Sequence, residues 1–169
     1  MEEQGKKIIR GYPILFDSPA RIGDWTEYVR RGALDNVDLS ELMLFGFHDT
    51  AKPLAKAGIN MRTEVDDKGL FIEAELPDTR EAHDVYELVS SGIISGMSYW
   101  FAASDVRNDH EKMTSEILQF KWVREVSVVT FPAYPETLAI AYHADGRDDD
   151  LMEENQEAQE EKPRPRLLF

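Results

Sequence analysis

Cysteine is absent from the 169-residue chain, so the sequence excludes a disulfide framework and thiolate chemistry and fits a reducing compartment. No window approaches the length of apolar sequence that a transmembrane helix needs. The N-terminal segment 1–7 carries charges with no apolar run after them, so we expect no signal peptide. These absences predict a protein made in the cytosol without membrane contact, and the chain length suits one domain.

Basic residues are fewer than acidic residues in this chain. Lys and Arg number 19 against 33 Asp and Glu, which gives a formal net charge of −14. A DNA- or RNA-binding surface needs clustered basic side chains, so the composition argues against a nucleic-acid partner. Much of the acidic excess lies in a C-terminal stretch without periodicity. We therefore predict one domain over 1–143 and an acidic tail over 144–169 that is typical of a disordered segment or a linker.

Cofactor motifs are missing as well. The sequence has neither a phosphate-binding loop nor a dinucleotide fingerprint. A metal site built from His48, Asp49 and His83 is conceivable, but no ligand spacing supports it. Acidic residues are so plentiful that no pair stands out for glycoside hydrolysis. We therefore expect no cofactor and no metal.

What the chain does contain is a series of short apolar runs between turn residues, which predicts about seven or eight strands. The clearest hairpin joins 60–65 to 70–76 through a turn that ends in Gly69. The apolar run 114–130 indicates two strands or one bent strand, whereas 104–113 is polar and predicts a mobile loop. Mostly antiparallel connections favour a β-barrel or a sandwich with helical decoration.

One segment has helical periodicity. It begins at Asp78 or Thr79, either of which can cap it, and Gly92 is placed to end it. Its apolar face has the i, i+3, i+4, i+7 spacing of a helix that packs on a core. The residues of this face are Ala82, Val85, Tyr86 and Val89.

The strand predicted over 93–101 carries a candidate nucleophile, Ser98. Alternation puts Ser98 on the same face as Gly96 and Trp100, and Gly96 leaves room there for a backbone or a substrate. Taken alone, Ser98 also fits an ordinary strand serine whose hydroxyl bonds locally. It does not precede a helix, so the pattern is not the strand-turn-helix nucleophile elbow.

Two further residues fit proton chemistry. His48 ends the most apolar strand, 42–47, and histidine is the side chain best suited to take and return a proton near neutral pH. Glu125 lies on a strand face between valines, where a carboxylate needs a partner, and a histidine donating from Nδ1 would be one. The alternatives are a histidine packed against its neighbours and a glutamate paired with Lys121 or Arg124.

Short motifs follow one another in a definite order along the chain. They are Gly11 to Phe16, Arg31-Gly32-Ala33, His48-Asp49, Asp67-Lys68-Gly69-Leu70, Ser91-Gly92, Ile94-Ser95-Gly96-Met97-Ser98-Tyr99, Glu125-Val126-Ser127-Val128-Val129 and Pro132-Ala133-Tyr134-Pro135. No motif is long, but the ordered set is specific. It resembles the tailed-bacteriophage prohead proteases, and the likeness runs from about Ile8 to Tyr142.

This resemblance implies a fold and a function. The fold would be a β-rich α+β domain with a small, mostly antiparallel β-barrel ringed by helices, like the herpesvirus capsid-maturation protease. The activity would be that of a serine endopeptidase in the procapsid, in the host cytoplasm, encoded by a phage or a prophage. Its substrates would be scaffold, the scaffold-like arm of the major capsid protein, and the protease itself. Self-association of the chain is consistent with this family.

The resemblance also assigns roles to residues. Ser98 is then the nucleophile and His48 the general base. The third member is a second histidine in the herpesvirus enzymes, and the corresponding segment here offers Glu125. Backbone N–H groups of Ala133 and Tyr134 are the candidates for the oxyanion hole.

Two other functions remain open on the sequence. One is a catalytically inactive capsid-assembly scaffold on the same fold, with the acidic tail as its interaction element. The other is a β-rich hydrolase unrelated to phage heads. The aromatic residues Tyr99, Trp100 and Phe101 are expected to belong to the core and to the wall of a pocket rather than to the chemistry.

Overall fold

The computed structural model describes residues 5–144, and their side chains up to residue 142. It contains ten strands and one helix. In chain order these are β1 Lys6–Leu15, β2 Ala20–Ile22, β3 Trp25–Val29, β4 Met43–Gly46, β5 Pro53–Lys56, β6 Met61–Val65, β7 Gly69–Glu75, α1 Arg80–Ser90, β8 Gly96–Asp109, β9 Thr114–Val129 and β10 Ala139–Ala144. The predicted tail lies outside the described residues from position 145 onward.

The first sheet has four antiparallel strands in the order β10-β1-β7-β6. Its β6–β7 hairpin is the predicted one. Asp66 Oδ1 accepts hydrogen bonds from the N–H groups of Lys68 at 2.7 Å and Gly69 at 3.0 Å, which closes the turn. A Cβ at Gly69 would lie 1.9 Å from the carbonyl oxygen of Ile14, so only glycine lets β1 approach so closely.

The second sheet is built around β9, which is the longest strand. The order is β2-β3-β9-β4-β5, and β8 also pairs with β9. The first part of β9 pairs in parallel with β3 and its last part in parallel with β4, while β8 runs antiparallel along its full length. The apolar run 114–130 is therefore one strand. This arrangement places residues of β4, β8 and β9 side by side.

The mobile loop predicted over 104–113 is wrong, because β8 continues to Asp109 and only a short turn precedes β9. Its side chains are mostly exposed, so apolar periodicity is missing from the sequence there. Backbone hydrogen bonds to β9 hold the segment as a strand, and such bonds do not require apolar side chains.

The β-rich, mostly antiparallel character is confirmed, but the closed barrel is wrong for residues 5–144. Their strands form two sheets that only isolated bridges connect, Phe16 with Val29 and Ala57 with Met61, so no continuous ladder closes them into a barrel. A ring of helices is also wrong for this part of the chain, since α1 is its one helix. Strand patterns specify which residues extend, whereas closure depends on which distant edges pair. Likeness to the herpesvirus protease stays a prediction.

Helix α1 supports the end of β4. It is capped by Thr79, whose Oγ1 accepts from the N–H of Ala82 at 3.2 Å, and Gly92 follows its end with φ of 72°. The predicted apolar face is buried. A Cβ at Gly46 would lie 2.9 Å from Val85 Cγ2, so α1 packs directly against the last residue of β4. No helix in the described range is long and apolar enough to cross a membrane.

Candidate active site

Glu125 is a buried carboxylate in the centre of the second sheet. Its side chain is only 9% exposed. Met43 of β4 lies beside it, and Trp100 of β8 is its cross-strand partner on the other side. A carboxylate so enclosed is costly unless hydrogen bonds compensate its charge, and two groups provide them.

The first group is Ser127, which is completely buried on the same face of β9. Its Oγ donates a hydrogen bond of 2.8 Å to Glu125 Oε1. The same Oγ accepts from the backbone N–H of His48 at 3.3 Å. Ser127 therefore links the carboxylate to the segment that carries the histidine.

The second group is the imidazole of His48, whose Nδ1 is hydrogen-bonded to Glu125 Oε1. Since the carboxylate can only accept, Nδ1 carries the proton and Nε2 is left as the acceptor in the neutral ring. The His48 side chain is 44% exposed. The glutamate of the pair is thus buried, and the histidine is accessible to solvent.

The backbone at His48 is unusual. Phe47 and His48 both have positive φ, 57° and 59°, a left-handed conformation that costs a non-glycine residue roughly 1–2 kcal/mol. The N–H of Phe47 donates to the carbonyl oxygen of Val128 at 2.9 Å, and that of His48 donates to Ser127. These bonds to β9 hold the turn that directs His48 back over the sheet.

Ser98 lies on β8 directly opposite Ser127. Residues opposite each other in an antiparallel pair share a face, so Ser98, Ser127 and Glu125 point to the same side of the sheet. Ser98 is half-buried. Within the described chain no hydrogen bond joins its Oγ to His48. The histidine and the glutamate are in contact, and the serine stands next to them; in the absence of substrate such a contact is often long.

Another segment of the chain, not an open substrate space, takes the room that Gly96 was predicted to leave. A Cβ there would lie 2.6 Å from Cγ and Cδ of Pro132, so the proline ring occupies that side of β8. Because Gly96 and Ser98 share a face, the segment that follows β9 folds back beside the serine. The glycine is needed for this close approach of the loop.

Thr137 ties that loop to the residue before Ser98. Its buried Oγ1 accepts from the N–H of Met97 at 3.0 Å. Its hydroxyl donates toward two acceptors, the carbonyl oxygens of Met97 and Tyr134, each 2.8 Å from Oγ1. These contacts hold the segment 131–137 against the start of β8.

The oxyanion-hole candidates fall in this segment. Neither the N–H of Ala133 nor that of Tyr134 donates a hydrogen bond to the described residues. The Tyr134 phenol is buried against Tyr99 and donates to Glu27 Oε1 at 2.7 Å. Burial, together with the neighbouring Tyr99 and Glu27, raises the pKa of Tyr134, so its hydroxyl stays neutral and structural. Its backbone amide remains available.

Residues considered for metal binding do not converge. His83 lies on α1 and contacts Lys7 Nζ at 2.6 Å, away from the His48 pair, and Asp49 forms an ion pair with Lys52 at 3.3 Å. No group of three potential ligands occurs between residues 5 and 142.

A cavity of about 660 Å³ lies at the opposite end of the β8–β9 hairpin, remote from Ser98. Arg30, Arg107 and Glu116 line it. Both guanidinium groups bond to the Glu116 carboxylate. Lys112, Asp109 and Glu111 also line the cavity, so its three cations are balanced by three carboxylates.

The sequence analysis did not predict that Ser127 or Thr137 belongs to the site. Ser127 had a signal, since strand alternation puts it on the face of Glu125. Thr137 had no such signal, because it bonds to backbone groups of Met97 and Tyr134 that only the folded loop brings close to it.

Comparison with protein-family models matches residues 1–149 to the family described as caudovirus prohead serine protease. Neither the curated proteins nor the solved structures that were compared contain a match to the chain.

Proposed function

The chain belongs to the caudovirus prohead serine protease family, and from this premise we propose that it is the endopeptidase that cleaves scaffold and the scaffold-like arm of the major capsid protein. It acts inside the procapsid and also cleaves itself. One observation carries the proposal. The buried Glu125 carboxylate bonds to both His48 and Ser127 on the sheet face that carries Ser98.

Ser98 is the nucleophile and His48 its general base. With Nδ1 committed to Glu125, Nε2 of the neutral ring takes the Ser98 proton as Oγ attacks the scissile carbonyl carbon. The half-exposed His48 ring is accessible to a polypeptide that arrives from solvent. His48 then gives the proton to the leaving amine as the C–N bond breaks.

Glu125 orients the ring and stabilises its charged form while the proton is held. Its burial strengthens this interaction, because the surrounding dielectric is low. Ser127 positions the carboxylate and the backbone of His48 at once, so the base keeps one orientation throughout the cycle.

The remaining requirement is stabilisation of the oxyanion. The unbonded N–H groups of Ala133 and Tyr134 supply it, since Pro132 and Thr137 hold their loop beside β8. Donors must lie about 3 Å from the oxyanion, which the loop reaches when substrate is bound. Water activated by His48 then hydrolyses the Ser98 ester and frees the enzyme.

The test compares Ser98→Ala with wild type, each expressed as the full chain with the major capsid protein of the same phage. Loss of the nucleophile lowers the cleavage rate by about 10³-fold or more. Intact-mass spectrometry follows capsid protein and protease, and a small fluorophosphonate probe reports acylation of the serine. Ser104→Ala, a change on the same strand, is the matched control, and we expect it to retain both cleavage of the capsid protein and labelling by the probe.

Equal processing by Ser98→Ala and wild type would exclude Ser98 as the nucleophile. Absence of both labelling and cleavage in the wild-type protein would instead favour the catalytically inactive assembly scaffold.

A further inference from the structure

Large apolar side chains are exposed on both sides of Ser98. Along β8, Trp100 follows Ser98 on the same face and is 57% exposed. In the other direction Pro132 covers Gly96, and Phe131 beside it is 87% exposed. Their neighbours Tyr99 and Phe101 pack into the core instead. Two aromatic residues, Trp100 and Phe131, therefore flank the serine.

The Trp100 ring is held in place although it faces solvent, and the backbone at Phe131 is fixed by the residue that follows it. Trp100 packs edge-on against Trp122, with ring centroids 5.0 Å apart. Phe131 precedes a proline that is wedged against Gly96. Aromatic groups held by their surroundings lose little freedom on binding, which makes them effective contacts for a partner.

The spacing suits an extended polypeptide. Residues on one face of a strand repeat at about 6.8 Å, so Trp100 lies roughly that far from Ser98 in one direction, and Gly96 with the Pro132 ring over it lies as far in the other. Phe131 directly precedes that proline. An extended substrate has the same repeat. Side chains within about two positions of the scissile bond, on either side, therefore reach the two aromatic residues.

We infer that Trp100 and Phe131 are substrate-binding residues that select large apolar side chains on opposite sides of the scissile bond. This inference rests on the proposed function, since it takes Ser98 as the position of the cut. It adds the substrate class: an extended polypeptide segment with apolar residues around the cleavage site.

The experiment uses a library of peptides from a digested bacterial proteome, cleaved by the full chain and sequenced by mass spectrometry. Wild type enriches Leu, Ile, Met, Phe or Tyr near the cut on both sides. Trp100→Ala loses the enrichment on one side and Phe131→Ala on the other, and each lowers kcat/KM for a peptide chosen from the library by about tenfold. Trp100→Phe restores most of it.

Ile59→Ala, a change at a residue that is 78% exposed outside this region, is the control and leaves the profile unchanged. The fluorophosphonate probe, too small to need either aromatic residue, labels all these variants at the wild-type rate. If wild type is labelled but shows no apolar enrichment or no cleavage, or if the variants keep its profile, the inference is overturned and the proposed nucleophile stands. If wild type is neither labelled nor able to cleave the library, the proposed function itself fails.

Discussion

Two carboxylates on β9 show how similar groups serve different purposes. Glu116, near the start of the strand, accepts hydrogen bonds from Arg30 and Arg107. Glu125, near its end, accepts from Ser127 and from the ring of His48. Both side chains are largely buried, at 15% and 9% exposed. The partners differ, and the partners decide what each carboxylate can do.

Guanidinium groups remain protonated at any pH that the fold tolerates, so the Glu116 cluster cannot move a proton. Its arginines, with Arg107 the larger contributor and Arg30 next, lower the pKa of Glu116. An imidazole ordinarily titrates near neutral pH and keeps a second nitrogen free. The Glu125 pair is therefore equipped for proton transfer, whereas the Glu116 cluster only ties strands together.

The largest expected difference between the two carboxylates is catalytic. Glu125→Gln replaces the acceptor of the Nδ1 proton with an amide that also fits the wrong tautomer, and kcat/KM falls roughly 10³-fold or more. Glu116→Gln stays within about twofold of wild type. Cleavage of one library peptide measures both. Similar losses in the two variants would mean that the distinction between them is wrong.

Ser127→Ala is the next largest change. It removes the hydrogen bond to Glu125 and the acceptor for the His48 amide. We expect kcat to fall about tenfold, the equivalent of one hydrogen bond of roughly 1.4 kcal/mol, with KM unchanged.

Ser115→Ala, the same substitution near the other end of β9, serves as the control and leaves kcat unaltered. Steady-state kinetics and a thermal melt are measured on each. A change in KM alone, or a loss fully explained by unfolding at the assay temperature, would contradict the positioning role of Ser127.

The smallest effect concerns stability. Arg30 and Arg107 are partly exposed, so solvent screens their pairs with Glu116, and Glu116→Gln lowers the free energy of unfolding by no more than about 1 kcal/mol near neutral pH. The pKa of Glu116 is lowered on folding from its ordinary 4.5. Its contribution is therefore complete above pH 4.5 and declines as pH falls through the lower, folded value.

Urea denaturation of wild type and Glu116→Gln between neutral and acidic pH measures this. The gap between the two proteins should close with acidification and also shrink in high salt. A gap that stays constant below pH 4.5 would show that the cluster does not hold Glu116 in its charged form.

Local features of the fold were accessible from the sequence. The β6–β7 hairpin and α1 follow from turn residues, caps and periodicity within a few residues of one another. The last part of β8, residues 104–109, was not predicted as a strand. It is extended because its backbone pairs with β9, not because of its own side chains. Barrel closure was wrongly expected for a related reason, since it depends on edges far apart in the chain.

The candidate site likewise has features that the sequence predicted and others that only the folded structure showed. Alternation alone marked Glu125 as a carboxylate in need of a partner and put Ser98 on the face of Gly96. It did not show that Ser127 bonds to that carboxylate, nor that Pro132 occupies the space at Gly96. Those contacts join segments through the register of β8 and β9 and through the returning loop.

By itself, the sequence determined the residue types that proton chemistry requires, the β-rich composition and the family to which the chain belongs. Only the tertiary structure decided which carboxylate of β9 meets a titratable ring and which meets arginines. The parallel pairing of β4 with the end of β9 places Gly46 beside Val128, and two left-handed residues then turn His48 onto Glu125. Strand pairing between distant segments is decided by the packing of the whole core, which no local pattern specifies.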